Sequence, residues 1–149
     1  METTKYGKYL YSNLSRNPPH PEVVTPIADF SGVKEWGDPK FGINWECVAQ
    51  PFYMIKEAHS HDFEEYLIFM GGNMLDIFDF QAEVELYLGE EKELHIINKP
   101  TIVYLPGGFV HCPMNFKRID KPILFHKMYL STKYTRDIVP NATITPLKK

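Results

Sequence analysis

The sequence predicts an all-β domain, and three observations carry that expectation. After Trp45, short runs rich in Val, Ile, Tyr and Phe alternate with clusters of Gly, Pro, Asn and Asp, which is the strand-and-turn rhythm of a sandwich or barrel. Beyond that point no segment sustains a 3.6-residue apolar period over three turns, so no amphipathic helix is expected. In AEVELYLGEE, Val84, Leu86 and Leu88 alternate with Glu83, Glu85 and Tyr87, predicting one buried face, one wet face and a turn at Gly89 to Glu91.

Residues 1–44 are expected to form an extended N-terminal arm. NPPHPEVVTP, from Asn17 to Pro26, carries four prolines, which remove backbone donors and fix φ, so neither a helix nor a central strand can run through it. Aromatic residues on both sides, from Tyr6, Tyr9 and Tyr11 to Phe30, Trp36 and Phe41, give the arm something to pack with, either the barrel or a partner subunit. Strands are expected in ECVAQPFYMIKEA, YLIFMGG, DIFDF, AEVELYL, ELHII, TIVYLP and ILFHKMYL, within a barrel spanning 45–131, and residues 132–149 are expected to be a C-terminal tail. In ILFHKMYL the alternation groups Leu124, His126, Met128 and Leu130 against Phe125, Lys127 and Tyr129, and the first set is expected to face inward, bringing His126 with it. The connection NMLDIFDF is either a lid over the barrel mouth or a surface loop packed by Leu75, Ile77, Phe78 and Phe80.

The composition narrows the function classes. A chain of 149 residues fits one domain with a sizeable core. A net charge of -3 argues against a nucleic-acid partner, because the only basic group near a terminus is Lys148–Lys149. Cys47 and Cys112 are too few for a disulfide scaffold or a cysteine zinc site and fit a reducing, cytoplasmic setting. The amino terminus lacks a long apolar run, so neither a secretory signal nor a membrane partner is expected.

Two stretches carry chemistry. In HSHDFEEYLIFMGG, His59 and His61 are two apart, share a strand face, and are followed by Glu65 and a glycine pair. In PGGFVHCPMN, a Pro-Gly-Gly turn leads into His111. Three imidazoles and one carboxylate can bind a divalent transition metal. Cys112, directly after His111, is expected to point the other way as a small buried hydrophobe, and Glu64 to be solvated.

These residues resemble the cupins. The form HxHxxxE, six residues, Gly is matched by His59, His61, Glu65 and Gly72, and the form PxGxxHxxxN by Pro106, Gly108, His111 and Asn115. The glycines that open each motif are replaced by Tyr53 and Pro100. The resemblance implies a double-stranded β-helix, or jelly-roll, barrel with a metal held by His59, His61, Glu65 and His111. Iron or manganese leads the expectation, with nickel, copper and zinc behind. His126, Tyr53 and Tyr104 are the candidate acid, base or hydrogen-bonding groups of the pocket. The implied function is a metal-dependent enzyme of dioxygenase, isomerase or decarboxylase type acting on a small oxygen-bearing molecule that chelates the metal. The alternative is a non-catalytic module binding a small ligand or the metal itself, and in either case a homodimer is expected, with edge strands covered by the partner.

Overall fold

The computed structural model describes residues 4–143, so Lys148–Lys149 and the end of the expected tail lie outside the described residues. Two antiparallel sheets face each other. The first runs in the order β1 (Ser15–Arg16), β2 (Ile27–Ser31), β3 (Gly42–Val48), β11 (Ile123–Tyr129), β6 (Glu65–Gly71), β9 (Thr101–Leu105). The second runs β12 (Asp137–Thr143), β5 (Glu57–Ser60), β10 (His111–Ile119), β7 (Ala82–Leu88), β8 (Glu93–Ile97), with β4 (Phe52–Ile55) also on β10. Among the described residues helix is limited to single 3-10 turns at Gly7–Tyr9 and Lys34–Trp36.

The proline-rich stretch lies against the domain itself: Val23 is buried and bridges to Val48, and the His20 ring lies 5.0 Å from Phe52. The remainder of the first 44 residues supplies β1 and β2, which extend the first sheet. At the other end, the segment expected as a tail re-enters the second sheet as β12, pairing with β5.

The core fills the space between the sheets. Strand register places Glu65, Tyr129 and Gly42 in one cross-strand row of the first sheet, then Leu67, Lys127 and Asn44, then Phe69, Phe125 and Glu46, then Gly71, Ile123 and Val48. Phe69 and Phe125, 5.0 Å apart, meet Phe116 from β10 at 6.4 and 5.6 Å. These three rings tie the sheets together, and all are at most 1% exposed. Glu46 is buried beside them, and burial pushes its carboxyl up.

The expected inward set of β11 is corrected by this register. Phe125 and Tyr129 are buried and Lys127, half-buried, shares their face, while His126 pairs with Trp45 and Ile68 on the outer face. Both faces of this central strand are largely apolar, so alternation identifies two faces without identifying the inner one. DIFDF forms turns rather than a strand, and β10, the longest strand with β-pairing on both sides, begins at His111 itself. In β7, Glu85 and Tyr87 are each 5% exposed, so the face expected to be wet is covered; Glu85 accepts a hydrogen bond from Asn115 at 3.0 Å.

The connection between β6 and β7 leaves from the Gly71 end of β6, about 20 Å from Glu65 along the strand. There the strand turns tightly, and a Cβ on Gly72 would stand 2.3 Å from the Pro122 carbonyl oxygen. Met74, Leu75 and Phe78 are 71–97% exposed, so this loop is not a lid over the Glu65 end.

Candidate metal centre

His59 on β5, His61 just beyond it, His111 at the start of β10 and Glu65 at the start of β6 converge at one end of the space between the sheets. One ligand atom from each histidine lies within 4.8 Å of the others, a spacing able to hold a metal ion. The Glu65 Oε1 atom stands 3.3 Å from His111 Nε2 and 3.6 Å from His61 Nε2. All four side chains are at most 2% exposed.

Each ring is held by its other nitrogen. His59 Nδ1 lies 3.1 Å from the Glu57 carbonyl oxygen, His111 Nδ1 2.9 Å from that of Phe109, and His61 Nδ1 2.5 Å from that of Thr135. A carbonyl only accepts, so each Nδ1 carries the proton and each Nε2 presents a lone pair to the common centre. His111 Nε2 and Glu65 Oε2 are buried without any hydrogen-bond partner. Converging lone pairs and a buried carboxylate are unfavourable unless a cation sits among them. The cavity lined by His59, His111 and Glu65 is about 20 Å³, room for an ion or one water-sized group. The residues present therefore fit a divalent ion.

Burial favours the neutral form of two of these imidazoles, His59 and His61. Burial, then the neighbouring His111, lowers His59 to about 4. Burial also lowers His61. For Glu65, burial acts upward, but the adjoining His111, then His61 and Lys127, outweigh it and keep the carboxyl below its ordinary value.

Two residues at this centre were not anticipated. Tyr134, from the segment after β11, packs its ring 4.8 Å from His61, and its hydroxyl lies 3.3 Å from His61 Nε2. Burial and the Glu65 charge push its phenol far up, so the hydroxyl keeps its proton and can donate it to Nε2. Lys127 lines the same cavity and sets its ammonium 4.1 Å from the centre of the Tyr134 ring. The signal for Lys127 was its phase with Phe125 and Tyr129, obscured by the parity assignment; Tyr134 lies outside any motif.

His126, Tyr53 and Tyr104, expected to serve this pocket, are elsewhere, and those assignments are corrected. His126 is on the outer face near Trp45, 6.2 Å between rings. Tyr53 pairs with Asn115, and its phase with His59 is broken because β4 ends at Ile55 before β5 begins at Glu57. Tyr104 is 51% exposed on the edge strand β9, against Tyr66. Cys112 also departs from expectation. Its φ of 78° and the register shift after His111 make a bulge that brings it, buried, to the cavity wall beside His111.

No family model matches the chain, and no curated protein matches it in sequence. In structure it is similar to an oxalate oxidase in complex with the substrate analogue glycolate, at 16% identity and a TM-score of 0.56 over 89% of this chain. It is similar to an uncharacterised conserved protein with a double-stranded β-helix domain from Klebsiella pneumoniae subsp. pneumoniae MGH 78578, at 10% identity and a TM-score of 0.56, covering 93% of this chain and 98% of that one. The fold is that of the cupins. A deletion mutant of Bacillus subtilis oxalate decarboxylase also aligns, at 12% identity and a TM-score of 0.53 over 84% of this chain. The chain spans 64% of the oxalate oxidase and 30% of the decarboxylase. Among the described residues no helix is long and apolar enough to cross a membrane.

Proposed function

We propose that this cupin is a metal-dependent enzyme acting on a small oxygen-bearing molecule, with His59, His61, His111 and Glu65 as the ligands of a divalent ion, iron or manganese foremost. The observation that carries the reading is the trio of Nδ1 atoms tied to backbone carbonyls, which leaves three clustered Nε2 atoms and a buried carboxylate at one small cavity lined by His59, His111 and Glu65. Bound there, such an ion supplies a Lewis acid that polarises a substrate oxygen. Glu65 offsets part of its charge, the backbone carbonyls fix ring orientation, and the protonated Tyr134 hydroxyl is positioned to donate a hydrogen bond at the same point. The fold likeness to an oxalate oxidase and an oxalate decarboxylase supports a metal enzyme and leaves the reaction to experiment.

The closed cavity also supports a second reading, a module that holds an ion without turnover, since the four polar residues are at most 2% exposed. Metal analysis of protein purified without added ion should find close to one transition ion per chain, absent from His59→Ala. Oxygen consumption and a metabolite screen on the loaded protein then separate the two, with a ligand recovered unchanged favouring the module. A homodimer belongs to the same proposal, supported by Ile102 and Tyr104 exposed at 61% and 51% on edge strand β9. Sedimentation as a strict monomer would remove it.

A further inference from the structure

We propose that the open groove beside the metal centre binds a small carboxylate, with Lys127 as the residue that recognises it and Tyr134 as the wall between the groove and the ion cavity. The proposal deepens the metal-enzyme reading and rests on it for its role in turnover, while its binding test is independent. The groove is about 440 Å³ in volume, opens to solvent, and includes Arg16, Asn44 and Lys133 in its lining. The ion cavity beside it is about 20 Å³ and enclosed. Lys127 and Tyr134 are the two described residues that line both.

Lys127 stands in an inner row of the first sheet, between Leu67 and Asn44. Among the described residues no carboxylate comes within the 4.0 Å of an ion pair with its Nζ, and its ammonium rests on the Tyr134 ring face at 4.1 Å. Arg16, a half-exposed cation of the groove lining, is already paired with Asp29 at 3.1 Å. With Lys133 also in its lining, the groove draws in an anion, and Lys127 is the cation of that lining that also reaches the ion cavity. A charge-assisted bond from an ammonium to a carboxylate is stronger than a cation over a phenol ring in the same setting, so an arriving carboxylate displaces the ring. Displacing it opens the way to His61, whose Nε2 the Tyr134 hydroxyl covers at 3.3 Å. A single point charge without a guanidinium fork suits one carboxylate better than a phosphate, which favours several donors.

The test is a titration of the full-length metal-free chain, labelled with nitrogen-15, with malonate, malonamide and inorganic phosphate. Malonate should give saturable amide shifts at residues 127 and 134, with malonamide giving none and phosphate binding more weakly. Lys127→Met should weaken malonate binding at least tenfold, and Lys127→Arg should hold it within about threefold, the dispersed spectrum of each variant reporting its fold. Malonate shifts that fail to saturate or that survive in Lys127→Met overturn the proposal, as does tighter binding of phosphate. Cobalt(II) absorption, titrated separately, reads the ion site. Cobalt bands with no malonate binding sink the groove alone, and malonate binding with no cobalt bands sinks the ion site alone.

Discussion

Two connections leave the first sheet at opposite ends, and they contrast in composition and in what they touch. Residues 72–81, after β6, carry Leu75 at 97% and Phe78 at 71% exposure and lie far from the histidines. Residues 130–136, after β11, fall where the expected barrel gives way to the expected tail and carry no motif, yet they bring Tyr134 onto the His61 ring and the Thr135 carbonyl onto its Nδ1. A conspicuous apolar loop is thus the bystander, and the plain one closes the site. Which strand end a connection leaves from decides its role, because β6 and β11 are antiparallel and only one end of each reaches the cluster.

The sharpest way to break this contrast is at the ligands. His59→Ala should lower cobalt(II) affinity by roughly a hundredfold or more, whereas replacing residues 74–78 by a Gly-Ser linker should leave it within about twofold; optical titration compares them. The next effect is on stability in acid. His59 titrates at about 4 in the folded chain against 6.5 for the ordinary group, so the unfolded chain takes up the proton first. Stability of the metal-free protein should therefore be complete above about pH 6.5 and fall by about 3 kcal/mol toward pH 4, from the shift and roughly 1.4 kcal/mol per pH unit. Urea unfolding across that range measures it, and the slope should flatten in His59→Ala. An unchanged slope would mean that His59 is not buried neutral.

Smaller effects separate the two connections directly. Tyr134→Ala should speed exchange of bound cobalt for zinc by about tenfold in stopped-flow absorption, and Leu75→Ser should not change it. Faster exchange in Leu75→Ser would reassign the lid to the far loop. Smallest of all, Phe78→Ser should alter unfolding free energy by no more than about 0.5 kcal/mol, since its side chain is mostly in water.

The same contrast measures what the sequence discloses. The grouping of His59, His61 and His111 with Glu65 beside them follows the spacing of the two cupin-like motifs, in which strand parity alone pairs only His59 with His61. Gly108 has a φ of 79°, a left-handed conformation that favours glycine. The inner face of β11 was not legible, since Leu124 and Met128 are as apolar as Phe125 and Tyr129, and Lys127, which lines the cavity, stands on the inner face. The Cys112 bulge and the strand break at Lys56 each shift parity by local backbone events that a side-chain pattern does not record. Sequence rules fail here at the cavity wall, where a charged group occupies a position that packing alone would give to an apolar one.

The anchors of the three imidazoles are main-chain oxygens, those of residues 57, 109 and 135. Exchanging the side chains at Glu57, Phe109 or Thr135 leaves those oxygens in position, so ring tautomer at this centre is insulated from point substitution in its surroundings. Only a change of chain path, such as an inserted residue in either hairpin, can rotate the rings out of register.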